Sequence, residues 1–174
     1  YVRMFALEFG PCFYMSMTGI PASKERQAQL ENKLRKEAYI KTDELRKLVG
    51  IPNFNANSSP QVAKLLYDDM QLRAHARKGR TTDKRYLQAY ADLHPLYNDV
   101  ITAISEAKEP LNNASKYGES LQLLDNKFYL CQFKAAVTTT ARLSSSQSNL
   151  GVGSNAQNMP ASMRVFCHAR PGTY

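Results

Sequence analysis

The chain has 174 residues, a formal net charge of +8 and a pI of about 9.4, enough for one domain or two small lobes of a larger one. The basic balance favours a polyanionic partner, although charge alone is equally compatible with a basic protein that has none. No apolar run approaches the roughly 20 residues of a membrane helix, and the start lacks a secretory signal pattern.

The first half of the chain predicts successive helices. An apolar stretch from Val2 to Thr18 predicts a helix that Gly10-Pro11 kinks or breaks, because proline lacks a backbone N–H. Gly19-Ile20-Pro21 ends this segment. Ser23 is then a favourable N-cap for a long helix that runs to about Val49.

The long helix carries an apolar stripe at three-to-four-residue spacing, with lysine and glutamate on its other faces. The stripe consists of Leu30, Leu34, Ala38, Leu45 and Leu48. It predicts a core face or a helix–helix seam, and the charged faces predict solvent exposure. The alternative is that the stripe docks another protein, as in a structural interaction domain.

Two capping patterns mark further helices. Ser58 or Ser59 caps the first, with Pro60 in its first turn, where a missing N–H costs little. Thr82 caps the second, with Asp83 favourably placed beside the positive end of the helix dipole.

The second half changes from helix to strand. A helix from about Pro95 is expected to end or kink at Pro110. After Asp125, the alternating residues from Phe128 to Phe133 predict a buried strand, with residues 137–140 as its partner. Together these elements predict an α+β fold.

A polar segment follows that is rich in hydroxyls and amides and contains one arginine. It comprises Thr138-Thr139-Thr140-Ala141-Arg142-Leu143-Ser144-Ser145-Ser146 and Gly151-Val152-Gly153-Ser154-Asn155-Ala156-Gln157-Asn158-Met159-Pro160. No helix or strand period runs through it, so it predicts an ordered loop that contacts another molecule. The alternative is a surface salt bridge for Arg142 and turn-stabilising hydrogen bonds for the amides.

A basic cluster surrounds Gly79 between two predicted helices. Its members are Arg73, His75, Arg77, Lys78, Arg80, Lys84 and Arg85. Phosphate contacts from such a cluster would be blind to sequence and sensitive to salt. The alternative is a solvated basic turn. His75 has no acidic or cysteine neighbour arranged for catalysis, so we expect it to be a surface residue.

The three cysteines, Cys12, Cys131 and Cys167, are far apart in sequence. This spacing predicts buried thiols in a reducing compartment rather than a disulfide framework. Cys167-His168 lacks a second pair of ligands at zinc spacing. No Ser-His-Asp or Cys-His set is spaced for catalysis, and Gly151-x-Gly153 is too short to predict a phosphate loop.

Several of these segments resemble the family A DNA polymerases, the family of bacterial DNA polymerase I and many phage replicases. The polar segment is similar to the family's T-x-T-G-R-L-S-S and N-L-Q-N-I-P blocks, with Ala141 where the family has glycine; alanine would strain a positive φ there. Four other collinear blocks resemble family patterns, so the match covers nearly the whole chain. They are Met15–Ile20, Phe54–Val62, Thr81–Leu87, and Arg164–Phe166 with Pro171-Gly172.

The resemblance implies an α+β fold in which residues 1–118 form a helical thumb and residues 119–174 form the N-terminal, incomplete part of the palm. The chain starts at Tyr1 without methionine and ends in the middle of a pattern, so we expect an internal piece of a longer, phage-type polymerase. Such an enzyme acts in DNA replication in the cytoplasm of a bacterial or phage-infected cell, with no membrane partner.

The resemblance also implies which residues contact primer–template DNA. In the family, the matching arginine contacts the primer terminus, the matching amides contact the template side, and a thumb tip like the basic cluster lies over the duplex. The expected DNA-binding residues are Arg142, Ser144, Asn155, Gln157, Asn158, Lys78 and Arg80.

The resemblance implies no catalytic residue and no metal ligand within the chain. Family A polymerases transfer a nucleotide from a dNTP to a primer 3′ end, using carboxylates that hold Mg²⁺. The family's first metal-binding aspartate follows the motif on which this chain ends, and Asp125 is expected to be a turn residue. We therefore expect the duplex-gripping part of a DNA-directed DNA polymerase, inactive by itself. The alternative is a non-catalytic helical nucleic-acid-binding module.

Overall fold

The chain begins with a helix that widens in its middle. The computed structural model describes residues 2–118, 121–135, 142–170 and 172. Helix α1 spans Val2–Leu7, a π-helical turn spans Glu8–Cys12, and α2 spans Phe13–Thr18. Pro11 lies inside the π-helical turn. The helix therefore widens at Gly10-Pro11 instead of breaking, because a wider turn relieves the clash between the proline ring and the preceding carbonyl.

Helix α3 spans Lys24–Val49, as its cap and apolar stripe predicted. The Ser23 hydroxyl accepts a hydrogen bond from the Arg26 N–H at 3.3 Å, and Gly50 follows the last residue with a φ of +75°. Most of the stripe is buried, whereas Leu48 is 51% exposed. The buried members are Leu30, Leu34, Ala38 and Leu45. The stripe is therefore a core face and is unavailable for docking another protein.

Two shorter helices follow α3. Helix α4 spans Ser59–Ala63 and continues into a π-helical turn, Lys64–Asp69, and helix α5 spans Lys84–Leu93. Ser58 lies at the predicted N-cap position of α4 in an extended conformation, but its side chain forms no capping hydrogen bond. The predicted cap of α5, Thr82, is wrong by one residue. Asp83 is extended, and its carboxylate accepts a hydrogen bond from the Arg85 N–H at 3.1 Å, which a carboxylate does well at a helix N-terminus.

Pro110 does not end the last helix. A 3₁₀ turn at Pro95–Tyr97 leads into α6, which spans Asn98–Tyr117 and includes Pro110. The helix has buried residues on both sides of the proline, Ala107 at 2% and Ala114 at 1% exposure. The helix thus continues through Pro110, although the proline removes a backbone hydrogen bond.

Within the described residues, four short strands form two antiparallel pairs. Strand β1 is Ile20–Pro21, β2 is Phe128–Tyr129, β3 is Gln132–Lys134 and β4 is Ser144–Ser146. β1 pairs with β2, and β3 pairs with β4 in the register Phe133 opposite Ser145. The predicted single strand from Phe128 to Phe133 is therefore two strands with different partners. Its predicted partner at 137–140 lies outside the described residues, and the segment predicted as a loop contains β4.

The second edge of β3 is covered by the N-terminal helices. The Phe133 N–H donates to Ser16 Oγ at 2.9 Å, and the Ala135 N–H donates to Glu8 Oε2 at 2.5 Å. An uncovered strand edge presents unpaired backbone groups to other chains. The side chains of Ser16 and Glu8 pair the backbone N–H groups on the edge of β3 that does not face β4.

The contact pattern divides the chain into two compact units, which differ from the predicted lobes. One unit is Lys33–Asn112, and the other combines Tyr1–Asn32 with Asn113–Tyr174. The core of the first includes Leu45, Phe54, Val62, Leu66, Leu87, Ile101 and Ile104. The second buries Tyr117, Tyr129, Leu130, Met163 and Phe166. The first 32 residues thus pack with the C-terminal part of the chain, and the thumb and palm boundaries at 118 and 119 stay a prediction.

A buried glutamine closes the C-terminal end of α6. Gln27, with an exposure of 0%, donates from Nε2 to the carbonyls of Tyr117, Gly118 and Leu121 at 3.4, 2.7 and 2.8 Å. The last carbonyls of a helix have no partner within the helix, so a side chain from elsewhere satisfies them. Nothing in the local sequence distinguishes Gln27 from the polar residues that face solvent.

Two of the three cysteines are buried, as predicted, and the third is less so. Cys12 and Cys131 are buried, Cys167 is half-buried, and all three are free thiols. Burial raises the pKa of Cys131 and of Cys167 to about 11, so both stay protonated at neutral pH. Within the described ranges, every helix is too short or too polar to cross a membrane.

Candidate nucleic-acid interface

Residues 154–159, here termed the amide turn, are organised by the side chain of Asn155. Its Oδ1 accepts hydrogen bonds from Ser145 Oγ at 2.5 Å, from the Gln157 N–H at 3.0 Å and from the Asn158 N–H at 3.3 Å. Asparagine commonly closes turns in this way, by accepting from backbone N–H groups two and three residues ahead. The side-chain oxygen of Asn155 therefore stabilises the turn, which was the alternative to a contact with another molecule.

The main chain of the amide turn is held by side chains from separate elements. Tyr129 Oη donates to the Ser154 carbonyl at 2.8 Å, and Tyr117 Oη donates to the Asn158 carbonyl at 3.3 Å. Arg164 donates from Nε and Nη2 to the Met159 carbonyl at 3.2 and 2.9 Å. These bonds satisfy the carbonyls at both ends of the turn and leave its conformation little freedom.

The amide side chains at the centre of the turn face solvent. Gln157 and Asn158 are both exposed, and Gln157 Nε2 donates to the Leu143 carbonyl at 2.8 Å. Within the part of the chain that the structure describes, the side-chain amide of Asn158 forms no hydrogen bond; only its backbone N–H is bonded. Its donors and acceptor are thus open to an external partner, whereas Gln157 retains its side-chain oxygen and one of its two Nε2–H donors.

Arg142 and Ser144 lie on the strand side of the amide turn. Arg142 is exposed, and Ser144 is half-exposed in β4, opposite Lys134. Gln157 bonds the carbonyl of Leu143, between these two residues, so both predicted blocks belong to one hydrogen-bonded arrangement. Ala141, where the family pattern has glycine, lies outside the described residues.

Gly153 brings the amide turn close to the backbone that follows β2. A Cβ atom at Gly153 would lie 1.7 Å from the Leu130 carbonyl oxygen, and the residue has a φ of +72°. Its N–H donates to the Gln122 carbonyl at 2.8 Å. Only glycine fits this close approach, so the Gly-x-Gly spacer has a packing role.

The side chain of His75 has a structural role in the basic cluster, whereas the sequence predicted only a surface residue. The main chains of His75 and Gly79 exchange two hydrogen bonds of 3.0 and 2.8 Å. His75 Nδ1 accepts from the N–H groups of Arg77 and Lys78 at 3.2 Å each, and its ring packs edge-on against Tyr86 at 4.5 Å. The imidazole thus fixes a tight turn, here termed the basic tip, residues 75–79.

The cations of the basic cluster fall into two groups. Arg80 forms a two-point ion pair with Asp68 and lies over the Tyr67 ring at 5.8 Å; the hydrogen bonds to Asp68 raise the pKa of Arg80. Lys84 pairs with Glu109 at 2.7 Å. The remaining side chains are exposed and have no ion pair within the described residues. They are Arg73, Arg77, Lys78 and Arg85.

No cluster suited to a metal ion occurs in the described ranges, where no three His, Cys, Asp or Glu side chains come together. Asp125 is a turn residue, as predicted, with φ of +50° beside Asn126 at +56°. The Lys127 N–H donates to the Leu124 carbonyl at 3.0 Å across this turn. The described residues therefore do not supply the ligands of a two-metal centre.

The fold is that of a polymerase domain. It matches the polymerase domain of Pol1 from M. smegmatis, solved in complex with DNA primer-template and dNTP, with a TM-score of 0.71. The match covers 94% of this chain and 28% of that chain, at 18% sequence identity. The family model of DNA polymerase family A matches residues 24–173, and the chain belongs to this family.

Two bacterial relatives agree with this assignment. DNA polymerase I of Helicobacter pylori is 31% identical over 135 residues, which is 76% of this chain and 14% of that protein. The thermostable DNA polymerase I of Thermus caldophilus is 29% identical over 154 residues, which is 84% of this chain and 17% of that protein. The chain thus spans about a sixth of the length of these relatives, and the phage-type expectation stays a prediction.

Proposed function

We propose that this chain is the part of a DNA-directed DNA polymerase that grips the primer–template duplex during DNA replication. The observation that carries the proposal is the family match over residues 24–173, which includes the amide turn with its exposed side chains. The structural neighbour was solved with primer-template and dNTP. By that similarity, the substrates of the whole polymerase are a primer–template and dNTPs, in a bacterial or phage-infected cytoplasm.

The amide turn and Arg142 suit recognition of the minor groove without sequence preference. Purine N3 and pyrimidine O2 present acceptors at similar positions in all four base pairs. Arginine carries only donors in a rigid fork, so Arg142 tests the geometry of the pair at the primer end. The open side-chain amide of Asn158 and the remaining Nε2–H donor of Gln157 hold the template side, and Ser144 contacts the backbone.

The basic tip adds phosphate contacts that carry no sequence information. Lys78 and Arg77 contribute full charges, because neither has an ion pair within the described residues. Arg80, although expected to contact DNA, has its fork occupied by Asp68. We propose that its main role is to fasten the base of the tip and that Lys78 makes the contact.

Catalysis requires groups that the described residues do not supply. Mg²⁺ would align the primer hydroxyl with the α-phosphate of the dNTP. Because no metal-binding cluster exists within the described ranges, we propose that other parts of a full-length polymerase provide those carboxylates. In that enzyme, residues 1–118 would act as thumb and residues 119–174 as the first part of the palm.

The Arg142→Ala variant tests the proposal. We expect it to lose about 1–3 kcal/mol of binding free energy at a primer–template junction, the value of one good groove contact, with little change on single strands. Fluorescence anisotropy with labelled junction, blunt duplex and single-stranded DNA measures this. Arg26→Ala, which removes the same charge from an exposed helical site, is the matched control. Equal weakening on all three DNAs would favour the non-catalytic binding module.

Neutralising the basic tip is expected to change the salt dependence of binding. The double variant Arg77→Gln/Lys78→Gln removes two phosphate contacts, so the slope of log K against log salt falls by about 1.8 on duplex DNA. The double variant Lys33→Gln/Lys36→Gln removes the same charge from exposed positions of α3 that have no ion pair within the described residues. Titrations at several salt concentrations compare them. The same slope for both variants would mean that net charge, not the tip, drives binding.

A further inference from the structure

We infer that Tyr117 and Tyr129 are positioning residues for the DNA contact, because their hydroxyl groups hold the two ends of the amide turn. The inference rests on the proposed function. Neither tyrosine reaches solvent, so neither acts on DNA directly: Tyr117 is 2% exposed and Tyr129 is 1% exposed. Each acts only through the backbone to which its hydroxyl is bonded.

The two hydroxyls bind carbonyls on opposite sides of the exposed amides. Tyr129 bonds the carbonyl of Ser154 at 2.8 Å and lies 3.0 Å from the Ser154 hydroxyl, while Tyr117 bonds the carbonyl of Asn158 at 3.3 Å. A buried tyrosine hydroxyl needs a partner, since an unsatisfied one costs free energy. Here the partners are the Ser154 and Asn158 carbonyls, which belong to one short turn. The two rings can therefore be buried without an unsatisfied hydroxyl only while the turn keeps this shape.

The tyrosines are anchored in elements that do not belong to the turn. Tyr117 is the last residue of α6, and Tyr129 lies in β2, paired with Ile20. The Tyr129 ring also packs edge-on against the buried Phe166 at 6.1 Å. Burial raises the pKa of Tyr129 to about 12, so its hydroxyl remains a donor throughout the neutral range. The rigid core of this unit thereby sets the position of a turn whose side chains face solvent.

Removing a hydroxyl should release the turn without removing a DNA contact. Tyr117→Phe and Tyr129→Phe keep the buried rings, so the core stays packed. With one carbonyl unbound, only a fraction of molecules would hold the amides in the binding conformation, and apparent affinity falls in proportion to that fraction. We expect each variant to weaken junction binding about three- to tenfold, as for the loss of one hydrogen bond, and to leave single-strand binding unchanged.

The experiment combines hydrogen exchange with a double-mutant cycle on the full chain. Amide exchange of Gln157 and Asn158, followed by NMR, should accelerate in each Tyr→Phe variant relative to amides of α3. Junction affinity is then measured for Tyr129→Phe, Asn158→Ala and the double variant. If the tyrosine acts through the turn, the double variant is no weaker than Asn158→Ala. Tyr14→Phe, at an exposed tyrosine, is the matched control, and Ser145→Ala releases the same turn if a Tyr→Phe variant does not fold.

The outcomes separate this inference from the proposed function. Unchanged exchange at Gln157 and Asn158, or affinity losses that add in the double variant, would overturn the positioning role while leaving DNA binding intact. If Asn158→Ala and Arg142→Ala both bind junction DNA as the wild type does, the proposed function is wrong. The positioning role in DNA contact then falls with it, whatever the exchange rates.

Discussion

Gly153→Ala is expected to lower the free energy of unfolding by about 2–5 kcal/mol. The new Cβ would lie 1.7 Å from the Leu130 carbonyl oxygen, so the amide turn must move away from the backbone after β2, an overpacking cost of about 1–3 kcal/mol or more. A positive φ adds about 1–2 kcal/mol for any residue with a side chain. Urea denaturation followed by circular dichroism measures the change.

Gly151→Ala isolates the clash from the backbone strain. Gly151 has a φ of +75°, nearly that of Gly153, but nothing lies within 4 Å of its Cβ position. This control is therefore expected to lose only about 1–2 kcal/mol. Junction binding should fall with Gly153→Ala and stay unchanged with Gly151→Ala. Equal destabilisation of the two variants would show that the close approach to Leu130 does not exist in solution.

Gln27→Glu is expected to destabilise the chain by roughly 3–5 kcal/mol at neutral pH, as for other uncompensated buried charges. The substitution keeps the size of the side chain but replaces the amide donor with an oxygen. That oxygen would face the carbonyls of Gly118 and Leu121, which now accept from Gln27 at 2.7 and 2.8 Å. Gln29→Glu, at an exposed position of the same helix, should change stability by less than about 0.5 kcal/mol.

The effect of Gln27→Glu should depend on pH in a defined direction. Burial beside carbonyl oxygens raises the pKa of the introduced carboxyl above its unfolded value of about 4.3. Between the unfolded and the folded pKa, the folded state binds a proton that the unfolded state releases. The destabilisation therefore grows as pH rises from about 4.3 to the folded pKa, and it shrinks as pH falls toward 4. Thermal denaturation at several pH values, with Gln29→Glu alongside, measures it. A pH-independent difference would mean that Gln27 is not buried against these carbonyls.

The residues predicted to bind DNA show what a sequence pattern can and cannot determine. The two polar blocks, joined by their resemblance to family A polymerases, singled out Asn155, Gln157 and Asn158 together. The pattern did not distinguish their states: the side-chain oxygen of Asn155 is bonded within the turn, whereas the side-chain amide of Asn158 has no hydrogen bond within the described residues. The same holds in the basic cluster, where Arg80 and Lys78 look alike in sequence but only Arg80 has an acidic partner, Asp68.

The sequence by itself determined the features that depend on neighbours within a few residues. Ser23, the apolar stripe and Gly50 defined α3, because capping and the 3.6-residue period are local properties. The free cysteines and the turn at Asp125 followed in the same way. The helical start, the α+β class and the family were also correct, because each rests on the type and order of local patterns along the chain.

Only the tertiary structure decided the features whose partners are distant in the chain. The split of the predicted strand after Tyr129 follows from pairing with residue 20 on one side and Ser146 on the other. The serines of β4 have little strand propensity, so only their pairing with β3 makes them a strand. Tyr117 and Asn158 are 41 residues apart. No local period records such a bond, because packing of the whole unit, not the adjacent sequence, brings the hydroxyl to the carbonyl.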